Sequence, residues 1–279
     1  MMSPVPNKTL HWLAILLAIG TLLLIINGAI AGPTVQPAAE ALSIHRLAAI
    51  PVSVLTLVVV LWLIFTDARS QARALGWITL ALAILQDSVG HAVVQAMAPH
   101  TAGIAHALMA PMFFAAVVAI ALVTSPAWAR GPELVSDYGW PSNRTLAIVT
   151  PVLVVIQITL GAAFRQGTIT LMPHVLGAML VALVILLQGI FVLQQFPAHS
   201  ALRLAGRTLL GVAFGQVFLG MTTLIMKSMA DENSTPVVIA ATFHVTGGAI
   251  TLATATVLSI LVRRNVQPRV EEEIDAPAS

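Results

Sequence analysis

Four histidines, His45, His106, His174 and His244, stand near the start of every second apolar stretch of this chain. A neutral imidazole offers one ring nitrogen to a metal while the other donates to a neighbouring acceptor. Two imidazoles can fill both axial positions of a haem iron. There is no cysteine, which excludes thiolate ligation, Fe–S clusters and disulfides. One histidine in a membrane helix is as readily a structural hydrogen bond as a ligand. Four in register point instead to two axial pairs for haem iron.

A flat macrocycle lying against a helix needs small side chains one turn from its ligand. The third and fourth residues after each histidine are Ala48 and Ala49, Met109 and Ala110, Gly177 and Ala178, Gly247 and Gly248. All but Met109 are Gly or Ala. Close packing of membrane helices through small residues is the competing explanation, but it does not account for the repeated placement of the histidines.

The elements that must hold these residues are membrane helices. Of 279 residues, 58% are hydrophobic and 9% charged, with a mean hydropathy of +0.94, far from the usage of soluble domains. About 20 apolar residues cross the hydrocarbon core as a helix. Eight stretches qualify: about 10–30, 43–65, 75–97, 102–124, 146–164, 171–193, 206–227 and 236–262. The first is too long for the apolar part of a cleaved signal peptide and is read as helix one. Lys8, Arg69, Arg73, Arg130, Arg144, Arg203, Arg207, Arg263, Arg264 and Arg269 fall at one set of ends, and Arg46, Arg165 and Lys227 at the other. The positive-inside rule then makes both termini cytoplasmic, with the four histidines in the outer half of the bilayer. The scattered basic residues, without aromatic interleaving, describe topology and not nucleic-acid binding.

The expected fold is an all-α integral membrane protein of eight transmembrane helices in two pseudo-repeated four-helix bundles. Residues 1–125 form the first bundle, 126–145 a cytoplasmic linker rich in proline, 146–264 the second bundle and 265–279 an acidic cytoplasmic tail. Within the halves a finer repeat runs. Odd helices end in Q-x-x-x-G, at Gln86 to Gly90, Gln157 to Gly161 and Gln216 to Gly220, and the next helix begins with a histidine. In the first helix Leu24 replaces the glutamine and Gly28 keeps the glycine. Duplication places sites at equivalent positions in each half, which pairs His45 with His106 and His174 with His244.

Other polar residues are weighed against simpler roles. Arg46 and Arg165 suit haem propionates through their planar fork, or snorkel to the interface. Asp87, a carboxylate well inside helix three, is a proton relay or orienting group by default and a structural hydrogen bond with equal weight. His11 and His199 are expected to snorkel or face water at inner ends, His100 to lie in an outer loop and His91 to sit within helix three. Pro51, Pro111 and Pro173 kink or start helices near the histidines.

Taken in order, Gln86 to Ala110, Gln157 to Ala178, the Ile44-His45-Arg46 start of helix two and Phe243-His244 leading into Gly247-Gly248 resemble the heme A synthase family, over nearly the full chain. The resemblance implies a permanent haem b between His174 and His244 and a substrate haem between His45 and His106. It implies oxidation of the C8 methyl of heme O to a formyl group with electrons from an external donor. Glu40, the only acid of the first outer loop, takes the place of the family's catalytic acid; successive hydroxylation and loss of water from a geminal diol both need a positioned carboxyl group. Implied partners are the haem substrate, the bilayer of a bacterial cytoplasmic membrane, a heme O synthase or terminal oxidase assembly, and a further copy of the chain as a homo-oligomer.

The residues leave other functions open. A non-enzymatic dihaem cytochrome b would use the same scaffold with both haems fixed. A transmembrane cytochrome b carrying charge across the bilayer would need haems in both leaflets, and a proton-coupled transporter would need broken helix pairs at the midplane.

Overall fold

The computed structural model describes residues 7–30, 38–138, 140–231 and 233–268. Within them the chain is all-α. Helix α1 spans Lys8–Ile30, α2 Ala38–Thr66, α3 Ser70–Gly90, α4 Ala92–Met97, α5 Pro99–Val123, α6 Pro126–Ala129, α7 Asn143–Arg165, α8 Leu171–Gln195, α9 Ser200–Met229 and α10 Thr235–Asn265. Seven of these, α1, α2, α5 and α7 to α10, are long and apolar enough to cross a membrane. An apolar solvent leaves backbone groups no partner outside the segment, so such stretches close every hydrogen bond internally as helices. Helix α3 has 21 residues, but Arg73, Gln86 and Asp87 lower its hydropathy.

Helices α1, α2, α3 and α5 pack as a ring in which α1 touches α2 and α5, and α3 touches the same two. Helices α7, α8, α9 and α10 make the same ring of contacts in the same order. The rings meet through α5 against α10, flanked by α5 with α7 and α1 with α10. Large apolar side chains such as Leu16, Leu57, Phe65, Leu183, Phe214 and Phe218 cover the outside, a surface suited to hydrocarbon and not to water.

The largest fully buried apolar side chains include Leu17, Leu63, Ile120, Ile185, Leu202, Leu209 and Leu258. All lie in the half of the bundles nearest the arginine-rich ends. The core therefore fills one half of each ring, and the centre of the other half is left to the histidines.

Two features differ from the expected organisation. Helix three does not run through to residue 97. It ends at Gly90, His91 turns extended (φ −64°, ψ 138°) and α4 follows, so His91 closes α3 and is not within it. The stretch 126–145 is not a free linker either. Ser125 caps α6 by accepting from Trp128 N, and strand β1 (Val135–Ser136) pairs in parallel with β2 (Val266–Gln267), just past α10. Helix α7 starts at Asn143, and β2 belongs to what reads in sequence as tail; residues 269–279 lie outside the described residues. Arg264 donates to Trp128 O at 2.6 Å and lies 3.7 Å over that ring, while Glu133 N donates to Asn265 Oδ1 at 2.9 Å.

His199 is buried and not solvent-facing, and His11 is only partly exposed. His11 Nδ1 is 3.0 Å from Ala121 O. His199 is 3% exposed, caps α9 through Leu202 N and reaches Glu133 O at 3.2 Å. Both satisfy backbone groups at helix ends that the segment itself cannot.

Candidate functional site

His45 is the eighth residue of α2 and His106 the eighth of α5. These helices are diagonal in their ring, so the two side chains face each other across its centre. Their ring centroids are 6.4 Å apart with planes at 78°. His174 on α8 and His244 on α10 are diagonal in the other ring, with centroids 6.2 Å apart and planes at 88°. A metal–imidazole bond of about 2.0–2.1 Å on each side, plus ~1.1 Å from nitrogen to ring centre, separates two axial imidazoles by about 6.3 Å. Both pairs have the spacing of two ligands on opposite sides of one ion. No cluster of three or more His, Cys, Asp or Glu suited to a metal occurs among the described residues. Two imidazoles alone make a poor closed site for a bare ion, which takes about four ligands, but they complete an iron whose other four positions come from a macrocycle. The donor set fits haem.

Glycines set these rings in place. A β-carbon at Gly28 would stand 2.8 Å from His45 Cε1, at Gly90 2.7 Å from His106 Cε1, at Gly161 2.9 Å from His174 Cε1 and at Gly220 2.9 Å from His244 Cε1. In all four the Nδ1 atom is next nearest and Nε2 farthest. Each odd helix presents bare backbone so that the imidazole can lie against it. Each ring turns toward the carbonyl four residues before that glycine, of Leu24, Gln86, Gln157 and Gln216. Only His106 closes a hydrogen bond of good geometry there, with Nδ1 3.3 Å from Gln86 O. The Nδ1 atoms of His45 and His244 are buried without a formed bond.

The glutamines of the signature act in two ways. Gln157 Nε2 donates to His174 O at 2.9 Å and lies 3.0 Å from His174 Nδ1, and Gln216 Nε2 donates to His244 O at 2.9 Å. Their Oε1 atoms press against Gly177 and Gly247 and are buried without a partner. Glycine at the third position after the histidine is what lets the carboxamide lie there. In the first ring that position is Met109, and Gln86 Nε2 sits 3.2 Å from His106 Nε2 instead. Around His45 the equivalent residues are Leu24 and Ala48, which with Asn27 and Pro51 line a cleft of about 350 Å³.

The remaining sequence candidates fall less neatly. Arg46 follows His45 and is exposed. Arg165 Nη2 donates to Ala29 O at 3.1 Å, which joins the end of α7 to the end of α1. Glu40 lies in the first turn of α2, and its side chain is outside the described residues. Asp87 hydrogen-bonds Ser53 of α2, a structural partner between adjacent helices. His100 is exposed in the first turn of α5. Sequence reasoning found the Q-x-x-x-G repeat without its cause, which is the ring seated on each glycine, and it took the side chain at position 109 for an exception of size alone.

No known protein-family model matches the chain, and no curated protein matches its sequence.

Proposed function

We propose that this chain is a multi-pass haem protein of the bacterial cytoplasmic membrane that acts as a heme A synthase, the family its motifs resemble. The observation that carries the haem assignment is the pair of diagonal imidazole couples, 6.4 and 6.2 Å between centroids, each seated on glycine. On this reading α3 is the eighth span, the two rings are duplicated four-helix bundles, and the arginine-rich ends with both termini are cytoplasmic.

His174 and His244 hold haem b, and His45 and His106 flank heme O, whose C8 methyl becomes a formyl group. The bound haem would supply the redox chemistry: methyl to formyl is an oxidation, so the oxidant would be external dioxygen, reduced to water with the help of electrons from an external donor. The chain's own residues fix the rings: glycine removes the β-carbon that would push them away, and Gln157 and Gln216 tie the histidine backbones to the facing helices. Glu40 moves protons at the substrate, and Arg46 pairs with a propionate. The buried apolar half beneath the rings keeps water from the centre.

The near-equal ring separations favour one alternative, a dihaem cytochrome b in which both haems are fixed carriers. Expression with a source of heme O, followed by analysis of extracted haems, separates the two. Heme A that disappears in Glu40→Ala supports the enzyme; two unmodified haem b per chain overturns it in favour of the carrier.

A further inference from the structure

We propose that Gln86 is a displaceable cap on His106, which makes the His45–His106 pair a weaker and more exchangeable haem site than His174–His244. The inference rests on the reading that both pairs bind haem.

A carboxamide nitrogen only donates. With Gln86 Nε2 3.2 Å from His106 Nε2, the ring nitrogen must accept, so the ring proton is on Nδ1. That atom is 3.3 Å from Gln86 O and donates to it. One residue thus grips both nitrogens of one imidazole and fixes its tautomer. The fixed tautomer is the one an iron needs, since Nε2 carries the free lone pair, but the amide N–H already occupies that lone pair. A nitrogen has a single in-plane lone pair, so the carboxamide must leave before iron can bind.

The other three histidines are not held this way. Among the described residues no hydrogen bond reaches Nε2 of His45, His174 or His244. Gln157 and Gln216 stand at the same place in the repeat, yet donate to the histidine main-chain carbonyls at 2.9 Å, and Gln157 meets the His174 ring only at Nδ1, 3.0 Å away, which leaves Nε2 uncovered. The difference follows from the residue one turn beyond the histidine. Gly177 and Gly247 leave a bare backbone on which the carboxamide lies, whereas the corresponding residue in the first ring is Met109, which has no such bare backbone to offer, and there the carboxamide meets the imidazole. The asymmetry is therefore written in the sequence, at one methionine against two glycines. It suits a pair of sites of which one keeps its haem and the other takes it up and gives it back.

The test uses the full chain, purified in detergent from haem-starved cells and titrated with haem b while the bis-histidine absorbance is followed. Two classes of site are expected, a tight one lost in His244→Ala and a weaker one lost in His106→Ala. Gln86→Leu removes the cap at similar volume and should tighten the weak class about ten-fold, the worth of one hydrogen bond, with slower haem release. Met109→Gly should act in the same direction, because the carboxamide can then turn away from the ring; the tight class should not move in either variant. A weak class that is unchanged or weakened in both variants, with the tight class intact as proof of folding, overturns the cap. Two classes of equal affinity in the wild type overturn it as well while leaving the haem reading in place. No haem at either pair overturns the haem reading and the cap together.

Discussion

Gly161 of α7 lies directly beneath the His174 ring, so close that a β-carbon there would stand 2.9 Å from Cε1. The imidazole is the far end of a side chain and can swing, whereas the glycine backbone cannot. A methyl group at this position should therefore cost ring placement and not the fold.

Gly161→Ala and Gly220→Ala are accordingly expected to leave the helix content unchanged and the melting temperature within a few degrees, while the bis-histidine spectrum of the second ring is weakened or lost. Overpacking of this kind costs about 1–3 kcal/mol, and the site bears it. Circular dichroism and the optical spectrum of each purified variant check this. Equal spectra in wild type and both variants would remove the glycines from the site.

Gln157→Leu should act on the same ring from the other side. It deletes the hydrogen bond to His174 O and removes a buried, unpaired Oε1. Losing the bond costs about 1 kcal/mol, and removing the orphaned oxygen returns a similar amount. The expected result is near-neutral stability by thermal denaturation with a broadened or shifted haem band.

Asp67 gives a pH dependence whose sign is fixed. Burial opposes its ionisation, but hydrogen bonds from the side chain and backbone of Arg69 and the charges of Arg69 and Arg73 outweigh this and hold its pKa below the ordinary value. Arg69 Nη2 is 2.6 Å from its Oδ2. A carboxyl group whose pKa is lowered on folding stabilises the native state fully above its unfolded value, and this contribution is lost as the pH falls from about 4 through the folded pKa. Wild type should exceed Asp67→Asn by up to about 1 kcal/mol at neutral pH, and the two should converge in acid. Denaturant midpoints across pH 2–7, from about two units below that value to about three above it, measure it; a gap that stays constant in acid contradicts the assignment.

Trp128→Leu should loosen the arginine-rich end. The ring lies 3.7 Å beneath the Arg264 guanidinium, a contact worth about 0.5–2 kcal/mol. A fall in melting temperature of a few degrees is expected, with the haem spectrum unchanged because the histidines lie in the opposite half. A spectral change without a fall in stability would contradict this.

The diagonal pairing of His45 with His106 and His174 with His244 was legible because alternate helices start at the same face and short connections make sequential helices neighbours. Four apolar stretches in sequence can then close into a ring with the second and fourth opposed. The break at His91 was not legible. Its stretch is less apolar than most of its neighbours, with Gln86 and Asp87 inside it, but nothing in its period marks the point at which the helix stops. The burial of His199 was equally hidden, because its partner Glu133 lies 66 residues away and no periodicity marks such a contact. The same holds for Gln86, whose carboxamide meets the imidazole of His106 on another helix where the repeat elsewhere gives a bond to the histidine main chain. Apolar period finds elements, whereas the direction of a polar side chain is settled by whatever stands across from it.

The pairing of β1 with β2 also has a bearing on the order of assembly. Glu133 and Asn265, which bond beside these strands, are 132 positions apart, and a chain emerges from its amino end. The connection between the halves is thus placed near the start of the second half's synthesis but fastened only after α10 has been made. Until then the first ring can pack on its own, and the last helix is the event that latches the two halves together.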